Sequence, residues 1–410
     1  MNAHRRFLVL LALRWFPVGL CIPIGVLLAM SRGLTLAEFG LAASLQGFVV
    51  LALELPTGGL SDSWGRRPVL ALSAVVALGS MALLVFADSV AEFAVYAVLQ
   101  GVYRALDSGP LESWYVDARL AADPSAKLER GLSAGGTVIG LAIGGGALAT
   151  GGLVAWAEVP GVPTLVVPVL LAFVVQVAGL VAILLLVREP PHPVGRRRLV
   201  ASLRDVPKVI VDGVRVVRRS RILLALVAVE LCWGFGMVTF ETLMPVRLSE
   251  EVGGTEAAAA ITGPAGAVGW LASAAGSALV PLLSARIGVA VTAGVLRIAQ
   301  GVAVVGMGLL AGPAGVLAGY LACYLVHGAG GPVHMTLLHR EATSENRSTV
   351  MSVNSMMMQP AGSVGLILLS AIASATSVSA AIVVGGVVLA LAAPLYLPAA
   401  RAERRAPVAV

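Results

Sequence analysis

Charged residues are scarce in this chain of 410 residues. Asp, Glu, Lys and Arg together make up 12% of the sequence, whereas hydrophobic residues make up 58%. Soluble domains carry about 25% charged residues, so this chain lacks the polar groups needed to cover a surface in water. The shortage excludes a soluble enzyme and a disordered protein, and it indicates a chain that folds mostly within a lipid bilayer.

Cysteine is also rare, and its placement excludes further classes of protein. The three cysteines, Cys21, Cys232 and Cys323, lie far apart in apolar stretches. This spacing fits neither a disulfide framework nor a metal site, so we predict buried thiols that pack as small hydrophobic groups, with no bound metal or cofactor. By contrast, the 47 Gly and 22 Pro fall inside long apolar runs, as they do in membrane helices.

Long apolar runs predict twelve membrane-spanning helices, because crossing the hydrocarbon takes about 20 apolar residues. We place them at residues 7–30, 38–60, 68–87, 91–114, 131–153, 164–187, 221–246, 259–283, 289–311, 313–335, 348–373 and 376–398. The first run is too long for a signal peptide and contains Arg14, so we expect it to be retained. The predicted fold is an all-α integral membrane protein.

The basic residues predict how the chain is oriented in the membrane. Of the 28 Lys and Arg, only Arg32 and Arg247 fall in predicted outer loops, and only Arg14, Arg104 and Arg297 fall within helices. The remainder lie on one side, and basic loops are retained in the cytoplasm. We therefore predict a multi-pass protein of the inner (plasma) membrane, with both termini in the cytoplasm.

A basic, polar segment divides the chain into two halves. We predict six-helix bundles at 1–187 and 221–398, a linker at 188–220 and a cytoplasmic tail at 399–410. Within the linker, Val, Leu and Ile recur at helical spacing among the arginines, which predicts an amphipathic helix on the anionic cytoplasmic leaflet. A loop joining two bundles explains these charges, so we predict no nucleic-acid partner. We expect a monomer.

The two halves repeat weakly in sequence. The stretch Gly109–Glu112 matches Gly331–His334 at an offset of 222, and Arg32 matches Arg247 at an offset of 215. Each half has six predicted spans, so equivalent helices run in the same direction. Parallel six-helix repeats related by an axis along the membrane normal are typical of one large transporter architecture.

A glycine- and arginine-rich motif lies between predicted helices 2 and 3. Residues 58–67 read GGLSDSWGRR and fit the pattern G-x-x-x-D-x-x-G-R-[RK]. This is the loop signature of the major facilitator superfamily, and with twelve spans and a central basic loop the whole chain resembles that family. The resemblance implies a small-molecule transporter with two pseudo-symmetric six-helix bundles.

The resemblance also implies a role for this motif. In the family, the loop latches the two halves together in the outward-facing state, through the start of helix 11 and an acidic residue at the end of helix 4. Those partners are here the segment at Ser348 and Asp117. The implied latch residues are Gly58, Asp62, Gly65, Arg66, Arg67 and Asp117. The alternative is an arginine pair that only sets topology. The second-half motif has Ala285 in place of the acid and is expected to retain only the turn.

Two stretches, at 54–58 and 108–117, resemble a bacterial branch that contains many drug exporters. Two features depart from it: Ala97 replaces the arginine of the helix-4 motif, and the exporters' helix-5 motif lacks its proline.

We predict a secondary transporter, coupled to protons, that exports a small hydrophobic or amphipathic compound. The alternatives are a proton-coupled uptake symporter for a nutrient or metabolite and, less favoured, a membrane-embedded lipid-modifying enzyme, for which no catalytic cluster is present. We predict that the chain is not an enzyme.

Ionisable side chains at membrane depth are costly and therefore indicate functional sites. The proton-coupling candidates are Asp107, Glu54, Glu112 and Glu230. Asp107 is the first of them because it lies near mid-membrane, and Arg104, three residues earlier on the same helix face, is its expected partner. Arg14 and Glu230 lie at similar depths in equivalent helices, and we interpret them as a pair that faces across the cavity. A static ion pair, or Arg14 reaching the inner interface, is the alternative.

The last candidates lie on predicted helices 10 and 11. His327 and His334, seven residues apart, point to about the same side and form either a proton relay or a pair of packed, hydrogen-bonded side chains. Met357 and Gln359 offer an adaptable surface for amphipathic ligands, or simply face lipid. The predicted cavity and substrate residues are Arg14, Arg104, His327, His334, Met357 and Gln359.

Overall fold

The protein is described by a computed structural model covering residues 2–123, 127–189, 211, 213–343 and 346–405. In the first half, the helices are α1 Ala3–Cys21, α2 Gly25–Ser31, α3 Leu36–Trp64, α4 Arg66–Phe86, α5 Val90–Asp107, α6 Pro110–Ala122, α7 Glu129–Trp156 and α8 Val167–Leu186. In the second half, they are α9 Arg221–Val238, α10 Met244–Val252, α11 Thr255–Ile287, α12 Val289–Leu309, α13 Gly312–Glu341, α14 Arg347–Ala375, α15 Val378–Leu391 and α16 Leu397–Arg405. The predicted all-α membrane fold is confirmed.

Eleven described segments are long and apolar enough to cross a membrane, against twelve predicted. The difference lies at the predicted helix 91–114, which is divided into α5 and α6. Gly109 has a φ of 93°, and Pro110 begins α6. Proline lacks an N–H and its ring clashes with the carbonyl four residues earlier, so it starts a new helix and does not continue α5. The fourth crossing is therefore a broken helix.

The described residues fall into two compact units. The first lies within residues 1–34, 45–206 and 255–267, and the second within 35–44, 207–254 and 268–410. In the first unit, α1 packs against α7 and α8, and α4 packs against α5 and α8. In the second unit, α9 packs against α14 and α15, and α12 packs against α13 and α15. These are the same four pairings in equivalent helices, so the predicted repeat is visible in the packing of each unit.

One helix crossing shows the repeat at the level of single residues. Gly19 in α1 lies against the main chain of Ile143 in α7, and Gly234 in α9 lies against the main chain of Met358 in α14. A methyl group at either glycine would overlap the neighbouring backbone. The two glycines are separated by the same offset of 215 that relates Arg32 to Arg247.

Most of the predicted amphipathic linker helix, at residues 190–210 and 212, lies outside the described residues. Residues 213–219 are helical. Val217 is buried in the core of the second unit, whereas Arg218 and Arg219 are exposed. The described end of the linker therefore has one apolar side and one basic side.

Candidate functional site

Arg14 and Asp107 form an ion pair inside the first unit. The Arg14 guanidinium also donates a hydrogen bond of 3.1 Å, from Nη2, to the main-chain oxygen of Asp107. Asp107 is the last residue of α5, where carbonyl groups have no partner within the helix. Arg14 therefore neutralises the carboxylate of Asp107, whose side chain is only 7% exposed, and also caps the end of a broken helix.

The structure gives Asp107 a closer partner than the predicted Arg104, because Arg14 forms the ion pair and Arg104 interacts with Asp107 through charge alone. Arg104 is exposed, and its charge interacts with Glu54, which is half-buried on α3. A shared helix face did not identify the ion-pair partner of Asp107, because Arg14 lies on α1, 93 residues away in the sequence. Glu112 lies exposed in the first turn of α6.

A small cavity of about 20 Å³ lies beside the ion pair. Its polar lining comes from Ser73, Tyr103 and Gln176, together with Arg14 and Asp107 themselves. A cavity needs roughly 10–15 Å³ to hold one water molecule, so this one has room for about one. A water molecule in this cavity would lie next to the Asp107 carboxylate and could form a hydrogen bond with it.

At the cytoplasmic motif, the side chain of Arg66 forms an ion pair with Asp117 and donates a 3.1 Å hydrogen bond to the main-chain oxygen of Ser113. Gly65 makes the preceding turn with a φ of 93°, which favours glycine. The contact expected between Arg66 and Asp117 is present, and its role as a latch stays a prediction. The side chains of Asp62 and Ser348 lie outside the described part of the structure, as does the environment of Gly58.

The Glu189 carboxylate caps the same helix start. It accepts hydrogen bonds of 3.1 and 2.8 Å from the main-chain N–H groups of Arg66 and Arg67. An anion at a helix N-terminus satisfies free N–H groups and complements the helix dipole. Arg67 in turn donates a 2.6 Å hydrogen bond to the carbonyl of Leu184. These contacts join the start of α4 to the end of α8.

The second half repeats this cap with a different residue. Gly288 has a φ of 84°, and Glu403 accepts hydrogen bonds of 3.1 and 3.0 Å from the N–H groups of Val289 and Ala290. Arg340 donates a 2.9 Å hydrogen bond to the same carboxylate. Glu403 is the counterpart of Glu189 and not of the motif acid, so the expectation that the second-half motif retains only the turn stays a prediction.

A hydrogen-bonded chain crosses the second unit. The Asn354 amide donates to Glu230 at 3.1 Å, and its oxygen lies 3.2 Å from Nε2 of His334. Nδ1 of His334 lies 2.9 Å from the Tyr396 hydroxyl. Because an amide oxygen only accepts, Nε2 of His334 carries the proton in this arrangement and Nδ1 accepts from Tyr396. His334, Asn354 and Tyr396 are all buried.

His327 has different surroundings from His334. Its ring stacks on Trp233, with centroids 5.6 Å apart and planes at 17°, and lies 5.7 Å from the rings of Phe240 and Tyr324. Its Nδ1 is buried and has no hydrogen-bond partner among the described residues. The interpretation of packed, hydrogen-bonded side chains therefore describes His334, whereas His327 is packed without that bond.

The remaining predicted residues occupy less polar places. Met357 packs against the core of the second unit, and Gln359 is half-buried. Arg297, whose partner the sequence left open, is buried and donates a 2.9 Å hydrogen bond to Gln300. Within the described ranges, no group of three or more His, Cys, Asp or Glu side chains is placed to hold a metal ion.

Sequence reasoning missed Glu241. It lies within a predicted span, and its carboxylate accepts a 2.5 Å hydrogen bond from the Tyr324 hydroxyl. The backbone around it, Thr239–Leu243, widens into a π-helix. A carboxylate inside an apolar run is a signal available from sequence, and it was the same signal that selected Glu230. Asn354 and Tyr396 were also missed, since neutral polar residues in membrane helices stand out less.

Comparison with known proteins gives one family and one fold. The sequence profile of the Major Facilitator Superfamily matches residues 7–364. No curated protein sequence matches the chain. Among solved structures, the nucleoside transporter NupG superposes with a TM-score of 0.77 at 12% identity, covering 97% of this chain and 99% of that one. A bacterial homolog of the human lysosomal transporter Spinster gives 0.76 at 14% identity, covering 99% and 98%. The human organic anion transporter MFSD10 (TETRAN) gives 0.61 at 18% identity, covering 97% and 100%. At these identities the superpositions establish the fold alone.

Proposed function

Because the chain belongs to the Major Facilitator Superfamily, we propose that it is a secondary active transporter that exports a small hydrophobic or amphipathic compound in exchange for protons. Membership makes the chain a membrane transporter and not an enzyme, which removes the lipid-modifying alternative. The sequence contains no G-x-x-x-x-G-K-[ST] phosphate-binding loop, so the proposed energy source is an ion gradient. Export proceeds by alternating access.

The contact between Arg14 and Asp107 carries this proposal. A proton on Asp107 removes the ion pair, while the hydrogen bond from Arg14 to the main-chain oxygen of Asp107 remains available. The site therefore has two charge states that can both be accommodated by the same residues. A buried carboxylate with a fixed cationic partner is the arrangement that proton-coupled transporters place at membrane depth.

The broken helix gives the proton a mechanical consequence. Asp107 ends α5, and the rigid helix α6 begins three residues later and carries Asp117, the partner of Arg66. A change in charge at Asp107 shifts the start of α6, and the shift reaches the Arg66–Asp117 pair at the cytoplasmic motif. In this proposal, proton loading and release of the latch are coupled through α6.

The other three carboxylates rank behind Asp107. Glu230 comes second, because it accepts a hydrogen bond from Asn354 and lies 3.8 Å from Nε2 of His334, a titratable group. Glu54 already interacts with Arg104, and Glu112 is exposed at the start of α6, where it is more available to solvent. We assign these last two residues a supporting electrostatic role.

Proton-coupled uptake is the second candidate function. The buried polar groups of the second unit favour it, since Arg297, Gln300 and Asn354 resemble the hydrogen-bonding side chains that a polar nutrient needs. Solved structures of the same fold include a nucleoside transporter and proton dependent oligopeptide transporters. Export ranks first because these polar groups already have partners within the protein: Arg297 binds Gln300, and Asn354 binds Glu230 and His334.

We further propose that the protein is a monomer of the plasma membrane with both termini in the cytoplasm. The basic loops support this orientation, and the exposed Arg218 and Arg219 at the described end of the linker suit contact with anionic lipid headgroups.

The test is accumulation of four probes in cells with and without the protein, each in the presence and absence of a protonophore. The probes are the cations ethidium and tetraphenylphosphonium, the neutral dye Nile Red and the anion 8-anilinonaphthalene sulfonate. We expect lower accumulation of at least one probe in expressing cells and loss of that difference with the protonophore. Raised accumulation would favour uptake, and export that is unchanged by the protonophore would overturn proton coupling.

A further inference from the structure

Six rings form a continuous aromatic cluster in the second unit. The rings belong to Trp233, Phe240, Trp270, Tyr320, Tyr324 and His327. Tyr324 lies at the centre, because its ring contacts four of the others at centroid distances from 4.7 to 6.2 Å. Its hydroxyl donates a hydrogen bond to Glu241, so the cluster contacts a carboxylate. We call this set of six rings and Glu241 the aromatic site.

Glu241 has no cationic partner within the parts of the chain that the structure describes. Its described hydrogen bond comes from Tyr324, which is neutral. The arginine one and a half turns further on, Arg247, is already paired with Glu250 and Glu251 at 3.1 and 2.5 Å. Carboxylates at membrane depth normally pair with a cation, and the described residues supply none for Glu241.

The backbone at Glu241 is also unusual. Glu241 is the central residue of the π-helix Thr239–Leu243, within a crossing that is otherwise α-helical. Single π-helical turns are rare and occur frequently at functional sites. The wider turn changes the direction in which side chains leave the helix. It places Glu241 against Tyr324 while Phe240, its neighbour, packs edge-on against the same ring.

The aromatic site is accessible in part. Trp233, Glu241, Trp270 and His327 are each half-buried, whereas Phe240, Tyr320 and Tyr324 are buried behind them. Three rings and the carboxylate of the aromatic site are therefore partly accessible, in front of three buried rings.

We propose that the aromatic site binds a monovalent organic cation with an apolar body, and that such cations are the substrate class of the transporter. Only the identification of these cations as substrates rests on the proposed function, because binding is a property of the site itself. Aromatic faces attract cations through their quadrupole, most strongly at Trp. A neutral amphipathic compound gains the same apolar contact but leaves Glu241 without a counter-charge, and an anion is repelled by it.

The experiment measures binding of radiolabelled tetraphenylphosphonium to the purified, detergent-solubilised full-length protein in a scintillation proximity assay. Unlabelled tetraphenylborate, which has the same shape and the opposite charge, serves as a competitor. We expect saturable binding that tetraphenylborate does not displace. Equal displacement by the cation and the anion would overturn the proposal.

Variants assign the binding to named residues. Glu241→Gln is expected to weaken binding at least about tenfold, and Trp233→Leu by about two- to thirtyfold, the range from an exposed to a desolvated cation–π contact. The matched control is Glu250→Gln, which removes a carboxylate of the same unit outside the aromatic site and should bind as the wild type does. Wild-type affinity in Glu241→Gln would overturn the assignment.

Loss of folding must be separated from loss of binding. Glu241→Asp retains the charge and Tyr324→Phe retains the ring, so both are expected to bind within about threefold of the wild type. If Glu241→Gln unfolds, weaker binding by Trp233→Leu together with retained binding by Glu241→Asp supports the site. Failure of Glu241→Asp to bind in a folded protein contradicts it.

The cation proposal and the transport proposal fail in different ways. Export of Nile Red without any binding of tetraphenylphosphonium would overturn the aromatic site and leave proton-driven export standing. Binding of tetraphenylphosphonium at Glu241, with no probe moved in cells, would support the site and overturn the proposed export.

Discussion

Arg14 holds Asp107 at two atoms, the side-chain carboxylate and the main-chain oxygen that ends α5. Arg14 thus both neutralises the charge of Asp107 and caps the end of the broken helix. The first bond depends on the protonation of Asp107 and the second does not. This separation explains how a proton can change the electrostatics of the first unit without leaving the broken helix uncapped.

Removing both Arg14 and Asp107 should destabilise the protein by less than the sum of the two single losses. Arg14→Met leaves a buried carboxylate unpaired, and Asp107→Leu leaves a guanidinium unpaired, each lowering the free energy of unfolding by about 3–5 kcal/mol. The double variant Arg14→Met/Asp107→Leu removes both charges, so its loss should be clearly smaller than the sum. The measurement is unfolding of all three variants and the wild type in one detergent. A loss in the double variant equal to the sum of the single losses would show that the residues do not interact.

The ion pair between Arg66 and Asp117 should matter more for transport than for stability. It is exposed, so Arg66→Gln should change the free energy of unfolding by only about 0–1 kcal/mol. If the pair belongs to a latch between two states, its loss should slow export by about 5–150-fold, the usual range for coupling between states. Stability is followed by thermal unfolding, and transport by efflux of a probe that the wild type exports.

Glu250→Gln is the control for this prediction, because it removes the exposed one of the two carboxylates paired with Arg247, away from the cytoplasmic motif. It should leave both stability and efflux near wild-type values. Wild-type efflux in both Arg66→Gln and Asp117→Asn would reduce the motif to a determinant of topology.

The same substitution at two histidines of α13 should have different effects. His334→Phe removes one hydrogen-bond partner from each of Asn354 and Tyr396 and should cost about 1–3 kcal/mol of stability. His327→Phe removes a buried nitrogen that has no partner in the described structure and retains the stacking on Trp233, so stability should be unchanged or slightly higher. Both are measured by thermal unfolding in detergent. An equal loss of stability in the two variants would contradict the difference in hydrogen bonding between His334 and His327.

Local sequence features predicted the fold well. Apolar runs long enough to span the bilayer identified the crossings, and the offset of 215 that relates Arg32 to Arg247 also relates the glycines Gly19 and Gly234 at equivalent helix crossings. These properties depend on composition and order along the chain. The motif at residues 58–67 identified the family for the same reason.

Contacts between distant segments could not be predicted in this way. Spacing along one helix favoured Arg104 as the partner of Asp107, but Arg14 reaches it from α1. Glu403 caps α12 from near the end of the chain, which comparison of the two motifs could not reveal. Glu241 differs from both, because a carboxylate within a predicted span was visible in the sequence and only its aromatic surroundings required the structure.

Proton coupling through Asp107 is tested most directly in proteoliposomes, using a probe that the wild type exports from cells. Two rates are measured for the wild type, for Asp107→Asn and for the exposed loop control Glu158→Gln: accumulation driven by a pH gradient, and exchange of labelled for unlabelled probe without a gradient. Asn imitates the protonated carboxyl but cannot release a proton. We therefore expect Asp107→Asn to lose gradient-driven accumulation and retain exchange, and Glu158→Gln to retain both. Gradient-driven accumulation at the wild-type rate in Asp107→Asn would contradict the account.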